Sequence, residues 1–486
     1  MLAGILEQVD NFGAVGAEDD DSLLDYFLST PAVTQIESGR KMLVLGRKGS
    51  GKTALVKYFG DKSPRDVIHV PLRLGQYPWN VHAQRKNSGA SDIEIYASSW
   101  RYLIAVKTLS AVLGRYKRPI FSAEAAIARQ FLVENYETSD VDLRQILTPN
   151  RIKLTKGTVG AKLPGLAKNE ISWDKVEEKG NLGLLIEHIS DALFRLSDAI
   201  AAQIGIEKVF LHFDELDLGL QVLTDDRRLL LIGLTVAGRA IRNAKLSTIR
   251  VLPVLYLRTD IWENIDFSDK NKIAEQLSYE IPWDSNNLRR LVDQRIKSKV
   301  KSATGWDSVH NPDEKMRGSQ PKWDYIIART FLRPRDVIAY LNYALEVAAS
   351  RDEAEELFSK EDIYDARPQY SKYLRNELHE EISPHWPQWE EPLRACSAIA
   401  TMVIKRDTFN QEYEKRRGDK SLEPASALEA LYGYSVVGYR RGLPSGGTEW
   451  IFSYTNPQLK FDPLASQIKI HLGLKEYFGL SEKTGD

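Results

Sequence analysis

The chain has 486 residues, and its 66 lysines and arginines against 67 aspartates and glutamates leave a formal charge of −1. At about 150 residues per domain this length predicts about three domains, and the balanced charge excludes a global basic field for nucleic acid, so such a partner would need a local patch. One cysteine, Cys396, excludes a disulfide framework and every multi-cysteine metal pattern, while the lack of about 18 consecutive apolar residues or a basic N-terminal leader predicts a cytoplasmic protein with no membrane partner.

In chain order, the acidic run Glu18 to Asp21 precedes a helical pattern at Leu23, Leu24, Tyr26 and Phe27, where the acids would cap and solvate the helix start. The apolar run 41–45 reads as a buried parallel strand, residues 53–59 as a helix and 67–72 as a second strand. A polar loop from Gly75 to Asp92 leads into an amphipathic helix over 100–113. The stretch from Pro149 to Gly180, with Lys153, Lys156, Lys162 and Lys168 among glycines, reads as a hairpin or mobile loop before a helix over 182–200.

A strand over 208–214 ends in acids, and a strand over 248–257 follows a helix over 227–243. Strands alternating with helices predict a parallel α/β sheet. After about residue 270 helical patterns dominate, as in 288–296 and 336–345. The last hundred or so residues add a hairpin, 435–440 with 449–454.

The chemistry centres on Gly46-Arg47-Lys48-Gly49-Ser50-Gly51-Lys52-Thr53, a Walker A pattern placed after a buried strand and opening a helix, with Ala54 continuing it. Glycines let the backbone approach phosphate, and the helix N-terminus adds positive potential. Lys52 would reach the terminal phosphates, and the Thr53 hydroxyl would ligate Mg²⁺. Asp214 and Glu215 fit the partner motif, Asp214 holding Mg²⁺ and Glu215 polarising the attacking water. The bland alternative is a solvated strand end, and Asp217 nearby reads as structural.

Arg258, at the next strand end, would either stabilise charge on the γ-phosphate or pair with Asp260 or Asp284. In Arg333-Pro334-Arg335-Asp336, Arg335 would sense nucleotide, or the tetrapeptide is simply a good helix start. Arg239 and Arg242 would act as arginine fingers or sit at a solvated helix C-terminus.

These motifs, together with Trp283-Asp284 and Arg295, resemble the STAND and initiator-like branch of AAA+ ATPases. More narrowly, Phe12-Gly13, Ala17-Glu18-Asp19 and Phe213-Asp-Glu-Leu-Asp217 look like bacterial P-loop ATPases known only by that name. The resemblance covers residues ~10 to 350. It implies ATP as ligand with Mg²⁺, sensor roles for Arg258 and Arg335, and a helical lid; the C-terminal hairpin resembles a winged helix. In that reading residues 425–431 form the recognition helix and Arg440-Arg441 the wing tip, but the helix is poor in basic residues, which favours a protein contact.

The expected architecture is therefore α/β: a P-loop NTPase parallel sheet over 1–270 with a helical insertion at about 75–180, a helical lid over 271–385, and a winged-helix-like domain over 386–486. The expected function is that of an ATP-hydrolysing regulatory switch, a homo-oligomer acting on a separate protein partner, with antiviral defence implied by resemblance. A DNA-handling ATPase using the basic loops, or a slow nucleotide-bound scaffold, are the alternatives.

Overall fold

The computed structural model describes residues 4–62, 64–75, 92–118, 120–147, 182–217, 224–351, 356–443 and 446–484. Contacts divide the chain into two compact units, one of residues 1–28, 48–51 and 282–486, the other of residues 29–47 and 52–281. Against the expected three-part division, residues 1–28 and 48–51 group with the C-terminal half, residues 271–281 stay with the sheet unit, and 282–385 and 386–486 share one unit.

The 29–47/52–281 unit is built on five parallel strands, β1 (Leu43–Leu45), β2 (Val67–Arg73), β3 (Lys208–Asp214), β4 (Arg250–Leu257) and β5 (Ser278–Glu280), in the order β2-β3-β4-β1-β5. β3 and β4 are buried along nearly their whole length, which explains their unbroken apolar sequences: a parallel sheet covered on both faces has no solvent side to alternate with. The 75–180 region supplies the helices Asp92–Arg115, Ala123–Tyr136 and Leu143–Leu147. Asp92–Arg115 packs against Leu182–Ile204 and Asp225–Arg242, and its Trp100 donates its indole N–H to the Leu230 carbonyl at 2.9 Å. Ser122 and Thr224 cap the Ala123–Tyr136 and Asp225–Arg242 helices by accepting from Ala125 and Arg227 N–H groups.

The other unit combines the helices Ser285–Lys299, Lys322–Ile327, Pro334–Ala349, Lys360–Asp365 and Arg367–Ile382 with a mixed sheet of β6 (Thr401–Lys405), β7 (Val437–Gly442), β8 (Thr448–Ile451), β9 (Gln467–Ile470) and β10 (Ser481–Thr484), ordered β10-β6-β9-β7-β8. One hydrophobic core runs through both parts. Phe331 packs against His471, and Ser371 Oγ accepts from Tyr477 N–H at 3.0 Å, which is why helices and sheet do not separate. The hairpin expected at 435–454 is β7 and β8, paired antiparallel.

Residues 21–26 form turns, not the expected helix. Asp20 is buried instead of solvated: it accepts from the Tyr26 hydroxyl and pairs with Arg295 at 3.3 Å. Arg295 also donates to Phe12 O and lies 4.4 Å from the Tyr26 ring. Burial and the Asp20 hydrogen bond hold the Tyr26 phenol well above its usual range. Gly13, at φ 90°, leaves room for this knot, since a Cβ there would overlap the Arg295 guanidinium. Arg295→Ala strands the Asp20 carboxylate and is expected to cost about 3–5 kcal/mol. Thermal unfolding checks this, and adding Asp20→Asn is expected to recover part of the loss.

Among the described residues no helix is long and apolar enough to cross a membrane.

Candidate functional site

The glycine loop starts where β1 ends. Gly49 and Gly51 have φ of 79° and 90°, a left-handed backbone that only glycine adopts without strain, and the chain then enters the Lys52–Asp61 helix. The first helical N–H groups therefore follow directly on the loop, as an anion cradle requires. Lys52 is folded back, its ammonium donating to Gly46 O at 2.7 Å and Arg47 O at 3.0 Å. Burial lowers its pKa, and Asp217 and Asp214 oppose that.

β3 carries the acids to the same edge. The Thr53 side chain and the Glu215 N–H lie near the Asp214 carboxyl and both act to lower its pKa. Asp214 Oδ2 is buried with no hydrogen-bond partner among the described residues. A hydroxyl and a buried carboxylate with one oxygen to spare suit Mg²⁺, which keeps several waters and takes few protein ligands beside a phosphate. Among the described residues no group of three or more His, Cys, Asp or Glu is placed to hold a metal without such help. Glu215 sits at φ 59°, and its carboxylate accepts from Gly75 N–H at 3.1 Å, at the end of β2.

Burial pushes the Asp214 carboxyl from the usual 3.8 up to about 6. A carboxyl raised on folding holds its proton more tightly in the folded chain, so it removes stability as pH climbs from about 4 to 6, and the deficit persists above that. The difference corresponds to about 3 kcal/mol. Asp214→Asn sheds the buried charge, so it is expected to raise Tm more at pH 8 than at pH 4.5. Equal changes at both pH values would contradict this electrostatic reading.

Arg258 closes β4, which lies between β1 and β3. Its guanidinium is bidentate with Asp260, at 3.0 and 2.7 Å, and 3.8 Å from Asp217. Of the two pairing partners read from the sequence, the structure displays Asp260. Arg239 pairs with Asp269 at 2.8 Å and Arg242 donates to Gly39 O at 2.5 Å, so both are engaged within their own unit.

Residues 48–51 group with the 282–486 segment. There the Arg335 N–H donates to Gly49 O at 3.4 Å, and Trp283 Nε1 donates to Ser50 O at 2.9 Å. Lys48 pairs with Glu380 at 2.5 Å and Glu377 at 3.3 Å, and Arg335 pairs with Glu377 at 3.1 Å. Sequence reading missed Glu377 and Glu380 because no local motif marks a partner for Lys48 that lies 332 positions away, as Glu380 does. Arg333 and Asp336 do open the Pro334–Ala349 helix as expected, and they also form a buried ion pair at 2.9 Å, joined by Glu381 at 3.3 Å.

Lys153, Lys156, Lys162 and Lys168 lie outside the described residues. Arg440 and Arg441, expected together at a wing tip, alternate to opposite faces of β7: Arg440 donates to Gln467 at 2.7 Å, while Arg441 stands opposite Glu449.

The comparisons with known proteins bear on the helical region. Residues 286–379 match the FunZ-associated C-terminal helical domain. That stretch includes Arg295, Arg333, Arg335 and Glu377. The chain is also 23% identical to the "Putative transposon gamma-delta 80.3 kDa protein" of Escherichia coli (strain K12), a distant relative, in an alignment covering 90% of this chain and 63% of that protein. The chain thus spans about 63% of the length of this curated relative.

Proposed function

We propose that the chain is a P-loop ATPase that binds ATP with Mg²⁺, hydrolyses it, and acts as a regulatory switch on a separate protein partner. The observation that carries the reading is the glycine loop itself, left-handed at Gly49 and Gly51 and running from the end of β1 straight into the Lys52–Asp61 helix, with Thr53 of that helix near enough to Asp214, the acid closing β3, to lower its pKa. Two separate sequence motifs thereby supply the donors that a magnesium–triphosphate needs. Gly46, Arg47, Lys48, Gly49, Ser50 and Gly51 would cradle phosphates with Ala54 in the first turn, Lys52 would leave its loop carbonyls for phosphate oxygens, and Thr53 and Asp214 would hold Mg²⁺. The ion supplies charge neutralisation on the phosphates. Glu215 would take the proton of the attacking water, and Arg258 would exchange Asp260 for developing phosphate charge.

The AAA+-like and STAND-like assignment, the winged-helix description of residues 386–486, homo-oligomerisation and a role in antiviral defence rest on sequence resemblance. The nucleic-acid reading has its own observation. Lys405 and Arg440 are exposed, and with Lys469 they share the β6-β9-β7 sheet face, where Lys405 stands opposite Gln467 and Lys469 beside Gly438. The relative's name, which mentions a transposon, adds weaker support.

Steady-state ATP hydrolysis by the purified chain, alone and with single- or double-stranded DNA at low and moderate salt, separates the readings. Slow, DNA-indifferent turnover is expected for the switch. Strong, salt-sensitive stimulation would favour nucleic-acid handling, and no magnesium-dependent turnover at all would contradict an active ATPase.

A further inference from the structure

We propose that Glu377 holds the glycine loop in a low-affinity state by occupying the two cations, Lys48 and Arg335, that the phosphates of a bound nucleotide would engage. The proposal rests on the nucleotide reading above and adds a competitor to it. One carboxylate oxygen, Glu377 Oε2, lies 3.3 Å from Lys48 Nζ and 3.1 Å from Arg335 Nη1. A carboxylate between a lysine and an arginine is chemically what a phosphate oxygen would be in the same place.

The three side chains are only 14–19% exposed, so water screens them poorly and the bridge resists casual exchange. Burial lowers the Arg335 pKa, but Glu377 is the first charge opposing it and the net direction is up, which marks the guanidinium as firmly paired. Tyr373 and Glu18 are the other groups that raise it.

The bridge is tied to the loop itself. Lys48 is a loop residue, and Arg335 packs so closely that a Cβ on Gly49 would lie 2.8 Å from the Arg335 Cβ. Phosphates seated on the loop would therefore meet cations already neutralised. Glu380 keeps a separate hold on Lys48, so losing Glu377 frees Arg335 without abandoning Lys48. Arg333 stays with Asp336 and Glu381 and takes no part.

Calorimetric titration of wild type, Glu377→Gln and Glu377→Gln/Lys52→Ala with MgATP, and separately with adenosine, tests this. Glu377→Gln is expected to bind MgATP about tenfold more tightly, the equivalent of about 1.4 kcal/mol. The gain should vanish for adenosine, which brings no phosphate, and the double variant should lose binding. Should Glu377→Gln fail to fold, Glu377→Asp, which withdraws the charge by one methylene, is expected to shift affinity in the same direction.

Unchanged or weaker MgATP binding by a folded variant, or an equal gain for adenosine, overturns the proposal while leaving the nucleotide site intact. No Lys52-dependent binding in wild type or variant overturns the nucleotide reading and this proposal with it.

Discussion

Glu215→Gln is expected to lower ATP turnover by about 10²- to 10⁴-fold while leaving MgATP affinity within about threefold. The size follows from removing a general base, worth about 3–5 kcal/mol of barrier. The substitution is mild elsewhere. Glutamine keeps an oxygen for the Gly75 N–H that Glu215 now accepts, and the same side-chain length suits the left-handed backbone at φ 59°. Phosphate release and equilibrium binding, measured on the same preparation, check both halves. Turnover at the parental rate would remove Glu215 from the water-activating role.

Lys52→Ala is expected to weaken MgATP binding by at least about 100-fold. The ammonium satisfies Gly46 O and Arg47 O. Charge-assisted hydrogen bonds to two phosphate oxygens, at about 1.5–3 kcal/mol each, would replace those contacts. Because Lys52 is a half-buried cation with a pKa lowered by desolvation, alanine removes a partly desolvated charge along with the contacts, so the Tm is expected to fall by less than the binding loss implies. A large Tm loss with intact affinity would instead make Lys52 a structural lysine that braces the loop.

Much of the parallel sheet was legible, and the reason is physical. β3 and β4 are covered on both faces, so their apolar runs are continuous and end where Asp214 and Arg258 emerge. The glycine loop was legible because Gly49 and Gly51 need a backbone that other residues resist. Legibility failed where long-range pairing decides. Asp20, read as a solvated helix cap, is buried against Arg295, 275 positions away, and residues 21–26 form turns where a helix was expected. Arg258 has an aspartate two residues on, so local pairing could be read, but not that Asp217 would share it. Glu377 carries no motif at all. Its position depends on how the Arg367–Ile382 helix packs, which only tertiary structure reveals.

The central claim, that the 46–53 loop with Asp214 forms a magnesium–nucleotide site, is tested most directly by titrating MgATP into the wild-type chain and its Lys52→Ala variant by calorimetry. Saturable one-site binding by wild type, weakened when EDTA replaces Mg²⁺ and lost in Lys52→Ala, is the predicted result. Failure to saturate at about 1 mM nucleotide, less than about 4 kcal/mol of binding, or equal binding by the two proteins would contradict it.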